Sequence, residues 1–344
     1  MHIPKRLTVA GALAGLLSLS VAMPAMAGKT IDAIKQRGQL VCGVNTGLAG
    51  FSAADSQGNW AGLDVDICKA IAATLLNDAS KIKWAPLNAQ QRFTALQSGE
   101  VDILSRNTTF TLTRDASLGL LATTPTYYDG QGFMVTKKTK ITSAKQLKNA
   151  EICVQSGTTT EKNLNDYFKG QNIKIKPVVF EGFEASVKAF FSGRCQAYTT
   201  DASGLASIRN KEAGNPEDHV ILPDLISKEP LGPSVRRGDD EFFTIVKWVV
   251  FGLLEAEEYG ITQANVDQQK TSTDPVVQRI LGTSEDTGKL LGLDKDWMYR
   301  PIKAVGNYGE IFERNVGPKS ALQLPRGANN LWNKGGLMYA PPVR

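Results

Sequence analysis

The stretch SRNTTFTLTRD (105–115) runs a ladder of hydroxyls, Thr108, Thr109, Thr111 and Thr113, up to Arg114, and residues 105–120 contain no histidine, cysteine or glutamate. A guanidinium holds a carboxylate by two parallel charge-assisted hydrogen bonds. Hydroxyls and backbone groups freed at a strand end can hold an ammonium or the second carboxylate oxygen. With no general base beside them, these groups offer binding rather than bond-making. VQSGTTTE (154–161) places a glycine turn before Thr158 and Thr159 at a helix start, where free N–H groups and the helix dipole favour an anion. RCQAYTTD (194–201) ends on Asp201, an acid placed to hold a cation. The set is complementary to a zwitterion carrying an α-carboxylate and an α-ammonium. Each part also has a plainer reading. Arg114 can pair with Asp115 at the surface, the threonines can be β-formers of an edge strand, and Thr158 and Asp201 can cap helices. Spacing alone leaves these open.

The elements that position these groups alternate. QLVCGV (39–44) reads as a buried strand and LDVDICKAIAATLLND (63–78) as a helix. KIKWAPL, AQQRFTALQSG and VDILS (101–105) follow as strand, helix and strand. The rhythm repeats in QGFMVTK, SAKQLKN, EICVQ, the helix opened by Thr158-x-x-Glu161, KIKPVVF, GFEASVKAFFSG, RCQAYTTD and ASGLASIRN. After PLGPSVRRGDDEFF one more strand returns into a long helix over 240–259. Alternation of this kind predicts α/β architecture with mostly parallel, doubly wound sheets. The glycine- and proline-bearing segments YYDGQG and KEPLGP bracket a second unit, so the chain crosses between two lobes twice, as at a two-strand hinge. Ligands bind off the carboxyl ends of such strands, here in a cleft between the lobes.

Residues 1–27 differ from the rest. Lys5 and Arg6 precede an apolar run, Leu7–Val21, and Ala25-Met26-Ala27 supplies small residues around a cleavage point. This predicts a secretory signal peptide cut after Ala27, with an uncleaved anchor as the alternative. Loss of Lys5 and Arg6 lowers the formal net charge from +5 to +3, and the remaining charges are scattered. Neither nucleic acid nor an acidic membrane is called for. Four cysteines, Cys42, Cys68, Cys153 and Cys195, suggest two disulfides in an exported chain, and their spacing fits no zinc site. One histidine, His219 in the polar stretch NPEDH, follows the leader. That scarcity argues against serine hydrolases and most zinc enzymes. GTSEDTGK (282–289) is no P-loop, because five residues separate its glycines and a leucine follows the lysine.

The chain resembles the periplasmic amino-acid-binding proteins of ABC importers. The resemblance rests on LVCGVNTGLAGF, WAGLDVDICKAIA, FTALQSGEVDIL, TFTLTRD, VQSGTTTE, SGRCQAYTTD and GNYGEIFER, in that order, and covers residues 28–260 and 305–315. SRNTTFTLTRD, YYDGQGFMV and ISKEPLGP look most like the general L-amino-acid branch. The resemblance implies a type II periplasmic-binding-protein fold, with residues 28–131 and 230–344 as lobe one and 132–229 as lobe two. It implies that Arg114 takes the ligand α-carboxylate, assisted by Thr109, the Asn107 carbonyl, Thr158 and Thr159. Asp201 takes the α-ammonium. Asn45 stands where many relatives carry aspartate. Leu48 and Ala89 stand where they carry aromatic residues, which implies a roomier pocket and broad specificity for polar and acidic ligands. Gln90 and Arg92 would read the ligand side chain, or face solvent. The expected bridges are Cys42–Cys68 and Cys153–Cys195, one per lobe.

The implied partners are a free L-amino acid and an inner-membrane permease. The protein is expected to act in the periplasm as a monomer, with no metal and no cofactor. Residues 261–300 exceed the shorter relatives and brace lobe one or touch the permease. The alternatives are a dehydratase-like enzyme of the same fold, using Asp201 or Glu181, and a ligand-sensing ectodomain.

Overall fold

The computed structural model describes residues 29–344, so the expected signal peptide, 1–27, lies outside the described residues. Helix α1 (Lys29–Arg37) buries Ile31 and Ile34, and Gly38 ends it with a positive φ. Strand β1 (Leu40–Val44) is buried throughout, because it has neighbours on both sides. A hairpin, β2 (Ala53–Ala54) with β3 (Trp60–Ala61), leads into α2 (Leu63–Leu76). Gly62 begins α2 at φ 136, where any side chain would collide with the Phe51 carbonyl. Only glycine suits that conformation and that closeness. β4 (Ile82–Pro86), α3 (Gln91–Ser98), β5 (Ile103–Leu104), α4 (Leu112–Ser117) and β6 (Leu120–Ala122) follow.

The chain then crosses through β7 (Tyr127–Asp129) into β8 (Gln131–Thr136). The second unit continues with β9 (Glu151–Gln155), α5 (Thr159–Gly170), β10 (Lys176–Phe180), α6 (Phe183–Phe191), β11 (Ala197–Asp201), α7 (Ala202–Glu212) and β12 (His219–Ile221). It crosses back through β13 (Glu229–Leu231) into β14 (Ser234–Arg236) and α8 (Asp240–Glu258). β7 and β13 pair antiparallel with Glu229 opposite Asp129, so the two crossings form one ribbon.

The sheets are ordered β4-β1-β5-β14-β6 and β10-β9-β11-β8-β12. Four strands of each sheet run the same way, and the fifth, β14 in the first and β8 in the second, is antiparallel to both its neighbours. The sheets are therefore mostly parallel, as expected, with one reversed strand in each. The cause is topological: β8 and β14 each enter a sheet straight after a crossing, from the opposite end. Two expectations change. SAKQLKN makes only a short 3-10 turn, Ala144–Gln146, because Asn149 turns left-handed at φ 58. His219 does not lie in a loop; it opens edge strand β12, its ring 4.9 Å from Phe191 and 5.7 Å from Phe190.

Helices cover both faces of each sheet. In lobe two, Leu164 and Phe168 of α5 pack with Phe133 on one face, while Val187, Phe190 and Leu205 pack with Tyr198 on the other. In lobe one, α2 and α8 form the larger core with β1, and Leu96 of α3 closes the opposite face with Leu87 and Leu104. The region 261–300 contributes α9 (Val266–Gln269) and α10 (Pro275–Ile280), and α11 (Tyr299–Val305) follows. It braces lobe one: the Thr74 hydroxyl donates to the Trp297 carbonyl at 3.1 Å, and Arg300 Nε donates to the Ala73 carbonyl at 3.2 Å. α12 (Tyr308–Asn315) packs on α8. Among the described residues no helix is long and apolar enough to cross a membrane.

Cys42 of β1 is bonded to Cys68 of α2, and Cys153 of β9 to Cys195 in the turn before β11. Each bridge ties a helix or turn to its own sheet and neither crosses the ribbon. The first spans 26 residues, which the loop-entropy account values at roughly 3.5 kcal/mol. The double variant Cys42→Ala/Cys68→Ala should lose about that much stability in urea unfolding. Its ligand affinity, measured under native conditions, should stay within about twofold, because the bridge lies within one lobe.

Candidate functional site

The groups singled out in the sequence converge where the two sheets face each other beside the ribbon. A cavity of about 40 Å³ opens there, and eight of the ten candidate ligand residues line it: Asn45, Leu48, Arg92, Asn107, Thr109, Thr158, Thr159 and Asp201. Gln90 and Arg114 do not. Gln90 donates its amide to Ser156 Oγ at 3.0 Å and so joins lobe to lobe. Arg114 lies one layer behind the wall. Its guanidinium donates to the Thr109 carbonyl at 2.9 Å and lies 5.0 Å from the centre of the Phe93 ring.

The lobe-one wall is built from strand ends. β1 ends at Val44, which presents Asn45. The Asn45 amide donates to Asn107 Oδ1 at 3.0 Å. Asn107 sits at φ 35, a left-handed conformation that asparagine tolerates better than most residues. Asp64, at the start of α2, accepts the Asn107 N–H at 2.7 Å and locks that turn. Burial pushes the Asp64 carboxyl up to about 6, opposed by that hydrogen bond. Gly62 therefore acts on the site: it places α2, α2 places Asp64, and Asp64 fixes Asn107.

Two guanidinium groups line the same wall. Arg92 Nε is buried and has no hydrogen-bond partner among the described residues. Burial, then the like charges of Arg106 and Arg114, pull Arg92 well below the usual arginine range. Arg106 is buried too and donates to the Leu87 carbonyl at 2.9 Å. Burial lowers it to about 10, against the opposing pull of Asp64. The site is electropositive on this side and short of anions.

The lobe-two wall carries the acid. Asp201 begins α7 without capping it, since its side chain makes no capping hydrogen bond. Its Oδ1 is buried without a partner among the described residues. Burial, then the neighbouring Asp129 and Glu229 carboxylates, raise Asp201 well above the ordinary aspartate range. Asp129, held by Ser203 and the Gly130 N–H, is raised to about 6, mainly by burial. Thr158 does cap α5, accepting the Glu161 N–H at 3.2 Å. Glu161, however, accepts from the Gly157 N–H, so the reciprocal half of the expected capping box is displaced by one residue. Thr159 is free of capping and turns to the hinge.

The hinge supplies what the sequence reading missed. Glu229 Oε2 accepts from Thr109 Oγ1 at 2.6 Å and from Thr159 Oγ1 at 2.9 Å, while Oε1 accepts from Asn163 at 2.7 Å and from Ser227 at 2.6 Å. One carboxylate thus holds a threonine from each lobe. In KEPLGP this glutamate stands between a lysine and a proline and looks like loop surface. Arg106 was discoverable, because it follows strand VDILS directly. Phe183, at the start of α6, also lines the cavity. Phe183 and Arg92 occupy one side of this cavity, and Ala89 is fully buried and does not line it.

The description of bacterial extracellular solute-binding proteins, family 3, matches residues 40–299, which take in both sheets. The chain belongs to that family. It is 56% identical over 332 residues to the general L-amino acid-binding periplasmic protein AapJ of Rhizobium johnstonii, covering 96% of this chain and 97% of that one. It is 52% identical over 321 residues to the glutamate/glutamine/aspartate/asparagine-binding protein BztA of Rhodobacter capsulatus, covering 93% and 95%. An ABC transporter periplasmic binding protein from Brucella ovis, solved with glutathione bound, superposes with a TM-score of 0.90 at 55% identity, over 92% of this chain and 99% of that one. As a family 3 solute-binding protein of the amino-acid ABC transporter type, the chain is a binding protein rather than an enzyme.

A bound ammonium needs ionised carboxylates. Burial raises Asp129 to about 6 and, with its neighbouring carboxylates, raises Asp201 well above the ordinary aspartate range, so protons compete with the ligand as pH falls through about 6, whereas Arg106, lowered only to about 10, keeps its charge there. Affinity for a neutral amino acid should fall by about tenfold per pH unit for each proton displaced below that point. Calorimetry at about pH 7.5 and 5 would detect this, and equal affinities would remove these acids from the ammonium site.

Proposed function

We propose that this protein is the periplasmic receptor of an ABC importer for L-amino acids, exported by the leader 1–27. It takes up a free amino acid between its lobes and presents it to an inner-membrane permease. The observation that carries this reading is the pair of buried, unpartnered polar atoms on facing walls, Asp201 Oδ1 and Arg92 Nε. Isolated buried charges are costly, and a polar or acidic amino acid relieves both at once, with its ammonium at Asp201 and its side-chain oxygen at Arg92.

In this reading Asp201 takes the α-ammonium. Thr109, the Asn107 carbonyl, Thr158 and Thr159 complete the ring around the head group. Arg114 takes the α-carboxylate after a small rotation away from the Thr109 carbonyl, or secures that wall from behind. Arg92 and Arg106 face the ligand side chain and favour polar and acidic ones, while Gln90 fastens the lobes rather than reading the ligand. The lobes, 28–131 with 230–344 and 132–229, close about the β7–β13 ribbon, and the ligand drives closure because it touches both. A monomer suffices, since one chain supplies every contact named. Glutathione, held by the Brucella ovis protein, carries a free amino-acid head on its γ-glutamyl residue, so this cleft would receive it by that end. Of the two acids a dehydratase of this fold would use, Glu181 does not line the cavity, and Asp201 is assigned here to the ammonium.

The test is titration of refolded, ligand-free protein with L-glutamate, L-glutamine and L-asparagine. Asp201→Asn keeps the shape and removes the charge; it should weaken all three by about a hundredfold, the scale of a lost buried charge pair. Arg114→Ala should abolish measurable binding while leaving the unfolding midpoint nearly unchanged. Affinity retained within about threefold would assign Arg114 to the wall alone. Glu229→Ala should weaken binding and widen the molecule in X-ray scattering, because it severs both Thr109 and Thr159 from the hinge.

A further inference from the structure

Both strands of the hinge ribbon pass from one lobe's hold to the other's at the same level. On the first crossing, Thr126, Tyr127 and Tyr128 are each held by the C-terminal part of the chain. Tyr308 donates its hydroxyl to the Thr126 carbonyl at 2.8 Å, the Phe312 ring stacks on Tyr127 at 6.1 Å, and the Asn329 amide takes Tyr128. The next residues are held by lobe two. Ser203 donates to the Asp129 carboxylate, and the Ala202 N–H donates to the Gly130 carbonyl at 2.8 Å. On the second crossing, three of the four hydrogen bonds of Glu229 go to Thr159, Asn163 and Ser227. The Pro230 carbonyl instead accepts the Phe110 N–H of lobe one at 2.9 Å. Asp129 lies opposite Glu229, and Tyr128 opposite Pro230. The change of hold therefore falls between the same two register pairs on both strands.

Asn329 makes the closest of these contacts. Its Oδ1 accepts the Tyr128 N–H at 2.6 Å and its Nδ2 donates to the Tyr128 carbonyl at 3.1 Å, so one side-chain amide pairs with both backbone groups of one residue. A two-stranded ribbon leaves such groups open along its outer edges. Pro230, across from Tyr128, has no N–H to give that carbonyl. Asn329, only 4% exposed, thus stands in for a third strand at one position. It is itself fixed to lobe one. It ends a short 3-10 turn, Gly327–Asn329, whose carbonyl at Asn329 accepts from Arg326 Nε at 3.0 Å, and Arg326 pairs with Glu257 of α8 at 3.1 Å. Leu331, Met338 and Val343 farther on are buried in the lobe-one core. Before the turn, the Ala321 carbonyl accepts from Asn210 of α7, in lobe two, at 2.8 Å. The segment that carries these contacts, 316–344, lies beyond the residues that match the family description.

We propose that segment 316–344 is a strap that sets the hinge, with Asn329 as its positioning residue. Asn329 keeps Tyr128 with lobe one, so bending is confined to the steps between Tyr128 and Asp129 and between Glu229 and Pro230. With Tyr128 released, the ribbon bends over more residues. The open form then gains conformations that the narrowed form does not, and closing costs more. The Asn210–Ala321 bond favours the narrowed form directly, because it joins the lobes. The inference rests on the reading of the cleft as one that closes on an amino acid. On that reading the observed affinity scales with the fraction of molecules able to close.

The experiment joins calorimetric titration and stopped-flow release of L-glutamine and L-glutamate to X-ray scattering of the ligand-free mature chain. Asn329→Asp keeps the size of the side chain but sets an oxygen against the Tyr128 carbonyl. Asn210→Ala removes an exposed amide and leaves both cores untouched. Each should weaken both ligands by the same factor, about fivefold, the scale of one net hydrogen bond. The loss should appear as faster release, and the ligand-free radius of gyration should rise. Unchanged affinity and radius in both variants would overturn the strap. Where Asn329→Asp does not fold, the same result in Asn210→Ala alone would overturn it. Losses that differ between the two ligands by more than about threefold would also do so, because the strap touches neither. A wild-type chain that binds neither amino acid would remove the amino-acid reading, and the radii of the variants would still decide the strap.

Discussion

The cleft is organised by charges held away from water without direct partners. Asp201 is buried beside Asp129 and Glu229, which repel it, and Arg92 is buried beside Arg106 and Arg114, which repel it in turn. Acids gather on lobe two and the hinge, guanidinium groups on lobe one. Had the two sets met in ion pairs, they would have satisfied one another and left nothing for a ligand. Kept apart, they give the cleft two complementary needs. The cost is spread through the scaffold, which holds the groups in place by two disulfides, two apolar cores and helices on both faces of each sheet.

The hinge is part of this arrangement as well as a pivot. A strand ribbon bends readily, because only two chains carry the load. Glu229 sits on that ribbon and binds a threonine hydroxyl from each lobe. Those hydroxyls, Thr109 and Thr159, are 3.4 Å apart across the cleft. The carboxylate is therefore well placed to favour a narrowed cleft. Gln90 with Ser156 and Asn210 with the Ala321 carbonyl add contacts between the lobes farther out. Each is a hydrogen bond worth about 1 kcal/mol net, small enough for ligand binding to decide the balance.

Much of this was legible in the sequence, because strand ends are legible. VDILS, EICVQ and RCQAYTTD mark where backbone runs out of ladder, and the polar residues just beyond them are the cleft: Asn107, Thr109, Thr158 and Thr159 follow strands, and Asp201 ends one. What lay hidden depended on contacts between distant residues. Glu229 acquires its role only when β13 lies beside β7 and brings it within reach of residues 70 and 120 positions away. Phe183 reads as one more apolar residue of an amphipathic helix, and only the approach of the lobes brings it to the cavity. Arg92 was ambiguous for the same reason: a helix-start arginine faces solvent unless a second wall covers it. His219 misled through its neighbours, since NPEDH reads as loop while Phe190 and Phe191 draw the ring onto an edge strand.

On the proposed reading, the same separation of charge sets the direction of selectivity. Arg92 and Arg106 are buried on one wall, and each lowers the cost of bringing a negative group near the other. A ligand side chain with a carboxylate or an amide oxygen relieves that repulsion. A cationic side chain adds to it and must be desolvated as well, a penalty of several kcal/mol for a charge without a partner. Among the described residues lining the cavity Phe183 alone is aromatic, so no aromatic pair is there to grip a side chain from both sides. Discrimination among polar ligands therefore rests on electrostatics, which distinguish acidic from basic well but glutamate from aspartate, or glutamine from asparagine, poorly. On that reading the receptor accepts a set of related ligands, and its breadth follows from replacing a shape filter with a charge filter.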